Sequence, residues 1–139
     1  MANILTLISG AKCPHVSLTA MHKHIDYRFV GLALLWMALI FWFSSQPTLF
    51  ALPGGLLDTI FKKSAHALAY AILWALWWYA TKRQTLVAFV LTVAYAISDE
   101  YHQTFVPGRH GQWFDVGVDT LGVITAMAVA HFRHSAKRI

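Results

Sequence analysis

The chain has 139 residues, about one domain by length, and 58% of them are apolar while only 12% are charged. Soluble domains carry about a quarter charged residues, so this composition argues against a soluble protein. A net charge of +5 would suggest nucleic-acid binding in a soluble chain. Here the basic residues lie between apolar segments, which favours membrane orientation and argues against nucleic acid as a partner.

The first 28 residues are mixed and show no helical periodicity. Their apolar run at residues 4–8 is too short for a signal-peptide core and follows no basic residue. We expect residues 1–28 to form an N-terminal cytoplasmic tail, and Met21 is an alternative start because nothing before it is needed to build a membrane domain. Cys13, the single cysteine, excludes an internal disulfide and matches no metal-site spacing.

Four apolar segments follow this tail, at residues 29–43, 65–80, 86–97 and 116–132. Each is near or below the roughly 17 to 25 residues that cross a hydrocarbon core about 30 Å thick, so polar flanking residues are drawn to membrane depth. A soluble helical bundle is the alternative. It is disfavoured because Trp74, Trp77 and Trp78 lie on successive faces of one segment, which makes that helix hydrophobic all round. The sequence therefore predicts an all-α fold, a polytopic membrane protein with a bundle of four transmembrane helices at 29–133 and a basic C-terminal tail at 134–139.

The distribution of basic residues predicts the orientation of this bundle. With four spans, eight of the 11 Lys and Arg residues share one side, namely Lys12, Lys23, Arg28, Lys82, Arg83, Arg133, Lys137 and Arg138. Only Lys62, Lys63 and Arg109 lie on the other side. Because cytoplasmic segments carry the excess of Lys and Arg, we expect both termini to be cytoplasmic.

The charged residues are concentrated between residues 95 and 122. This stretch holds four of the six acidic residues, together with two histidines and an arginine: Asp99, Glu100, Asp115, Asp119, His102, His110 and Arg109. Four helix ends should converge on the same, outer face of the membrane as this stretch. A polar site is therefore expected there.

Helical spacing indicates which side chains share a face. Lys63, His66 and Tyr70 follow the spacing i, i+3, i+7 and should lie on one face of the second helix. On the third helix Ser98 and His102 are one turn apart, as are Asp99 and Gln103, with Glu100 turned away from both pairs.

On the fourth helix Asp115 and Asp119 are one turn apart, and Gly122 allows another helix to approach closely. A carboxylate well inside a membrane helix costs roughly 2.5 to 3.5 kcal/mol, so Asp119 needs a partner. The candidate partners are Lys63, Arg109, His66, His102 and a bound cation. Either Asp119, Asp115 and Arg109 form a structural salt-bridged knot or, as we favour, they belong to a polar pocket open to the outer leaflet.

Taken together, these motifs resemble those of the VanZ-like membrane protein family, whose founding members are associated with low-level resistance to the glycopeptide teicoplanin. The resemblance runs from about residue 41 to residue 122. It rests on SSQP at 44–47, K-x-x-H-x-x-x-Y at 63–70, SDEYHQ at 98–103, then Phe105, Pro107, Gly108 and Arg109, and on Asp115 with Gly122. The chain departs from the family pattern at Lys62, Asp119 and Ala126, and Asp119 adds a negative charge that favours a cation.

The resemblance implies a multi-pass protein of a bacterial-type cytoplasmic membrane with a role in the cell envelope, without fixing its mechanism. The first hypothesis is an enzyme acting on an anionic lipid or lipid-linked envelope precursor. Its catalytic candidates are His66 and His102 for proton exchange, with Asp99, Glu100 and Asp115 to orient them. Its substrate-binding candidates are Lys63, Tyr70, Ser98, Gln103, Arg109 and Asp119.

Two other functions remain open from the sequence, a non-catalytic binder of a glycopeptide or lipid and a small transporter subunit. Membrane lipids are expected partners in every case. The sequence names no cofactor. A divalent metal among His66, His102, Glu100 and Asp115 fits the residue types, although their spacing is not diagnostic.

Overall fold

The computed structural model describes residues 25–46, 55–109 and 111–136. In these ranges all regular structure is helical, which confirms the predicted all-α fold. The helices are α1 (Tyr27–Ser44), α2 (Gly55–Ala80), α3 (Thr85–Gln103) and α4 (Trp113–Ala136). The expectations for Met21, Cys13, Pro47, His110 and the last three residues lie outside the described residues.

The helices are longer than the apolar segments within them because the polar flanks are helical too. Helix α2 has 26 residues and includes Lys63 and His66, and α4 has 24 and includes Asp115 and Asp119. Helix α1 begins after Asp26, whose side chain accepts a hydrogen bond from the backbone N–H of Arg28 at 3.2 Å, as N-cap residues do. Polar side chains are thereby built into the helical bundle, as the short apolar segments predict.

Helix α2 lies at the centre of the bundle. It packs against α1, α3 and α4, whereas α1 and α4 make no contact among the described residues. Tyr70, Leu73 and Trp74 of α2 are buried in the core, where Val123 of α4 packs with them. Because α2 is central, its polar side chains can meet polar groups from each of the other three helices.

The helix ends meet in two groups. At one end, which we call the site end, Ser44 closes α1 and hydrogen-bonds to α3, while α2 and α4 are joined by an ion pair. At the opposite end the Asp26 N–H donates to the Ala80 carbonyl at 2.8 Å. The Lys82 ammonium also lies 2.9 Å from the Asp26 carboxylate there, and it holds the pKa of Asp26 below its usual value. Successive helices therefore alternate in direction, and the predicted convergence of four helix ends is confirmed.

The surface and the interior of this bundle reverse the pattern of a soluble protein. Large apolar side chains such as Leu35, Leu86 and Leu121 are exposed, while Asp99 and Asp119 are buried. Helices α1 and α4 are long and apolar enough to cross a membrane, judged by length and composition. The four-span topology and the side on which the termini lie stay predictions.

Candidate functional site

A polar cavity of about 470 Å³ opens at the site end, between α2, α4 and the end of α3. We call it the site cavity. Seven of the eleven predicted site residues line it: Lys63, His66, Glu100, Gln103, Arg109, Asp115 and Asp119. The structure thus brings most of the predicted site residues to one place, although the chemical roles assigned to them stay predictions.

The Lys63 ammonium bonds directly to the Asp115 carboxylate, which joins α2 to the first turn of α4. Both side chains are about one-third exposed, at 30% and 27%. The same ammonium lies 5.0 Å from the centre of the Phe114 ring, a cation–π distance. A cation with an exposed side and a carboxylate partner can exchange that partner for an anionic ligand.

Deeper in the bundle, Asp99 accepts three hydrogen bonds on one oxygen. The donors are the Ser44 hydroxyl at 2.8 Å, the Tyr70 hydroxyl at 3.0 Å and the Gln103 amide at 3.1 Å. These groups come from α1, α2 and α3, so Asp99 ties three helices together. Asp99 is only 2% exposed. The cluster is linked to the site cavity through Gln103, which lines it.

The helical position of Glu100 predicts that its side chain turns away from the Asp99–Gln103 face. In the structure it does not. Its carboxylate accepts from the Gln103 amide at 3.3 Å and from the backbone N–H of Gln112 at 3.1 Å. The i, i+3 relation to Gln103 and the returning α3–α4 loop draw Glu100 inward. The expectation that Glu100 turns away from both pairs is therefore wrong for the Asp99–Gln103 pair.

Asp119 lies in the cavity wall on α4 with 1% of its surface exposed. Its nearest basic group is His66, whose Nδ1 is 3.9 Å from Asp119 Oδ1, and neither carboxylate oxygen has a hydrogen-bond donor. One ligand atom from each of His66, Glu100 and Asp119 lies within 4.8 Å of the others. This trio combines a buried carboxylate, a second carboxylate and an imidazole from three different helices.

The Arg109 guanidinium lines the cavity but is committed to the end of α1. It donates to the carbonyls of Gln46 and Phe43, both at 3.1 Å, and to the Gln103 side chain at 3.4 Å. The carbonyls at a helix C-terminus carry partial negative charge, which attracts a cation. The alternative raised from the sequence, a salt-bridged knot of Arg109 with Asp115 and Asp119, does not form among the described residues.

Two predicted site residues, His102 and Ser98, belong neither to the cavity lining nor to the cluster of hydrogen bonds on Asp99. His102 stacks on Phe41 with ring centres 4.4 Å apart, and its Nε2 is 3.2 Å from the Ser45 hydroxyl. Ser98 is exposed and donates to the carbonyl of Tyr95 one turn earlier. The expectation that His102 joins the other groups in one pocket is therefore wrong, because its face of α3 is turned toward α1.

The α3–α4 loop contributes Gly111 and Gln112, which were not singled out in the sequence. The backbone N–H of Gln112 orients Glu100, and a Cβ on Gly111 would clash with the Glu100 carbonyl oxygen and come within 2.8 Å of the Thr104 side chain. Gly108 has a φ of 81°, in the left-handed region that favours glycine. The two glycines around Arg109 were the available signal that this loop folds tightly onto α3.

Fold and site together define an all-helical bundle with an apolar exterior and a cluster of charged and polar side chains enclosed at one end. Residues 29–134 match the sequence model of the VanZ/LLP1 family, and the chain belongs to this family. The resemblance seen in the motifs is thereby confirmed. No curated protein and no solved structure matches the chain.

Proposed function

We propose that this chain is a multi-pass membrane protein that binds an anionic lipid or lipid-linked envelope precursor at the outer leaflet and modifies its head group. Membership of the VanZ/LLP1 family supports a link to glycopeptide resistance through the cell envelope. The geometry of the site end supports the lipid part of the proposal, as follows.

Each of the four helices has at least the roughly 17 residues that the shortest membrane spans need. Helices α2 and α3 have 26 and 19 residues, which at a rise of 1.5 Å per residue gives about 39 Å and about 28 Å. A hydrocarbon core is about 30 Å thick. Their charged groups at membrane depth face the site cavity or the core, while Leu68 and Val90 are exposed. Lipid is the solvent that such a surface requires.

Orientation follows from the basic residues at the two ends. Arg28, Lys82 and Arg83 lie with α4's C-terminal turn at the end opposite the site. The sequence predicts eight of the 11 Lys and Arg residues on that side, and we therefore take it as the cytoplasmic side. The site cavity then faces the outer leaflet, where envelope precursors are used.

The observation that carries the proposal is that the site cavity adjoins a long apolar groove and shares lining residues with it. The groove has a volume of about 1340 Å³ and runs between α2 and α4, with Ala71, Gly122 and Ala126 among its lining residues. We call it the α2–α4 groove. Lys63 and Val118 line both spaces. A molecule with a charged head and a long chain fits this pair of spaces, with its head group at Lys63 and its chain in the groove.

Selectivity for such a ligand must come from its head group. Inside a bilayer the competing lipid tails are as apolar as the groove, so burying a chain there gains little hydrophobic free energy. The groove therefore orients the ligand, and the Lys63 side chain binds its head group. The Lys63 ammonium supplies the charge, and a phosphate can displace Asp115 from it.

Proton transfer is the step that would make this binder an enzyme. His66 lies one helical turn deeper than Lys63 and lines the same cavity, within reach of a head group held by Lys63. A non-catalytic binder needs Lys63 and the groove but not His66. Substituting His66 therefore separates an enzyme from a binder.

Lipid binding is tested on the full chain purified without lipid exchange and examined by native mass spectrometry. We expect retained phosphatidylglycerol, or added polyprenyl pyrophosphate, in the wild type, and a loss of at least tenfold in Lys63→Gln. Thr125→Trp fills the groove from an exposed position and should also release the lipid. The matched controls are Lys82→Gln at the opposite end and Ile124→Trp outside the groove. Equal retention in all four variants would reject the proposal.

Catalysis is tested by incubating the protein with each lipid in phosphatidylcholine nanodiscs and following the head group by mass spectrometry. An enzyme converts one of the lipids, and His66→Gln abolishes conversion while the lipid stays bound. Binding without conversion in the wild type would leave a non-catalytic binder as the function.

A further inference from the structure

The buried carboxylate of Asp119 has an unmet electrostatic requirement. It is 1% exposed, it belongs to the wall of the site cavity, and no donor reaches either oxygen. Removing a carboxylate from water without a hydrogen bond or a cation is strongly unfavourable. The Lys63 ammonium bonds Asp115 instead, and the Arg109 guanidinium donates to α1 and Gln103. The neighbours left to Asp119 are His66 and Glu100.

Those neighbours are arranged as ligands. His66 of α2, Glu100 of α3 and Asp119 of α4 each offer one atom, and the three atoms lie within 4.8 Å of one another. Ligand atoms at about 2.0 to 2.2 Å from one ion lie at most about 4.4 Å apart. Shifts of the ligand atoms by a few tenths of an ångström to about one ångström would therefore bring all three within bonding distance of one ion.

We infer that His66, Glu100 and Asp119 form a binding site for a divalent transition-metal ion of the zinc or manganese type. An imidazole with two carboxylates favours these ions over calcium or magnesium, which take oxygen ligands. A dication also supplies the positive charge that two enclosed carboxylates require. Of the four metal ligands considered from the sequence, this set keeps His66 and Glu100 and omits His102 and Asp115. It adds Asp119.

Surrounding groups hold one of the ligands in place. The backbone N–H of Gln112 and the side-chain amide of Gln103 both donate to the Glu100 carboxylate. Outer groups of this kind orient metal ligands and raise affinity by about 10- to 100-fold. Three protein ligands beside an open cavity leave a coordination position free, as catalytic rather than structural sites do. The ion therefore lies where the lipid head group of the proposed function enters, although its binding requires no lipid. With the ion bound, His66 is a ligand, and a water at the free coordination position would take over the proton transfer assigned to His66.

Metal binding is measured on the full chain in detergent, purified without a histidine tag, stripped with EDTA and dialysed. Titration with zinc chloride should give about one zinc per chain by elemental analysis and a rise in melting temperature, and magnesium chloride at equal concentration should give neither. Asp119→Asn and Glu100→Gln should each weaken zinc binding at least tenfold. X-ray absorption should show nitrogen and oxygen neighbours near 2.0 to 2.2 Å, with the outer-shell scattering of one imidazole.

Two matched variants control for zinc bound elsewhere. Asp58→Asn removes another carboxylate that lines the site cavity, and His131→Gln removes an exposed histidine of α4. Both should bind zinc like the wild type. No zinc in the wild type, or unchanged stoichiometry and affinity in both Asp119→Asn and Glu100→Gln, would overturn the inference. Lipid retention measured in EDTA tests lipid binding without the metal. Failure of the metal site is therefore distinguishable from failure of the proposed function.

Discussion

Gly122 of α4 lies directly against the backbone of Ala67 on α2. A Cβ added to Gly122 would clash with the Ala67 carbonyl oxygen and come within 2.7 Å of the carbonyl carbon and 2.9 Å of the Cα. These distances lie below ordinary van der Waals contact. Ala67 follows His66 in α2, and Asp119 lies one turn before Gly122 in α4. The glycine therefore sets the separation of the two helices that carry His66 and Asp119.

Substituting Gly122 should loosen this helix pair. Gly122→Ala forces backbone to move away from backbone, and we expect a loss of about 1–3 kcal/mol in the free energy of unfolding, as overpacked cores show. Gly117→Ala in the same helix is the matched control, because its added Cβ meets nothing within 4 Å. Melting curves in detergent compare them. Equal stability of the two variants would contradict the close contact.

The hydrogen bonds to Asp99 should contribute measurably to stability. Tyr70→Phe removes the hydroxyl that lies 3.0 Å from the buried carboxylate, and a hydrogen bond to a charged group is worth about 1.5–3 kcal/mol. Tyr101→Phe is the control, because that side chain is exposed. Unfolding titrations of both variants give the difference.

A double-mutant cycle isolates the Tyr70–Asp99 interaction. In an Asp99→Asn background Tyr70→Phe should cost less, because the acceptor is no longer a carboxylate. The same cost in both backgrounds would show that Tyr70 acts through packing alone and that the Asp99 cluster is not a coupled network.

Arg109 should act as a clamp on the end of α1. Arg109→Gln removes donors to the Phe43 and Gln46 carbonyls, and we expect it to lower the free energy of unfolding by at least about 1.5 kcal/mol. Adding Asp115→Asn should not restore stability, because Arg109 is not the partner of Asp115 and the change also deprives Lys63 of its own. Arg133→Gln, at an exposed arginine of α4, is the control. Full recovery in the double variant would instead support the salt-bridged knot.

Features that depend on the period of one helix could be predicted from the sequence. The shared face of Lys63, His66 and Tyr70 follows from their spacing, and all three lie near the site in the structure. The alternation of apolar segments with short polar loops likewise predicted four helix ends meeting together. The close approach at Gly122 was predicted because this residue without a side chain follows Asp119 by about one turn, on nearly the same stripe of α4.

Features that depend on how helices rotate against each other could not be predicted. The position of Glu100 is set by the turn of α3 toward α4 and by the returning Gln112 backbone, which its own helical spacing does not encode. Helical spacing gives His102 a face but not the neighbour that this face meets, which is Phe41. Arg109 reaches α1 because Gly108 turns the loop through a left-handed conformation. Loop geometry and helix rotation are decided by packing over the whole bundle.

The topology leads to a labelling experiment with two cysteines in a Cys13→Ser background. Gly111 is unsuitable, because a side chain there would clash with the Glu100 carbonyl. Pro107 in the α3–α4 loop and Gln84 in the α2–α3 turn are both exposed. If the excess of basic residues keeps the Gln84 end cytoplasmic, a membrane-impermeant maleimide applied to intact cells should label Pro107→Cys and spare Gln84→Cys until the cells are permeabilised. The Cys13→Ser parent should stay unlabelled throughout. The reverse pattern would invert the orientation, and labelling of both cysteines from one side would rule out four spans.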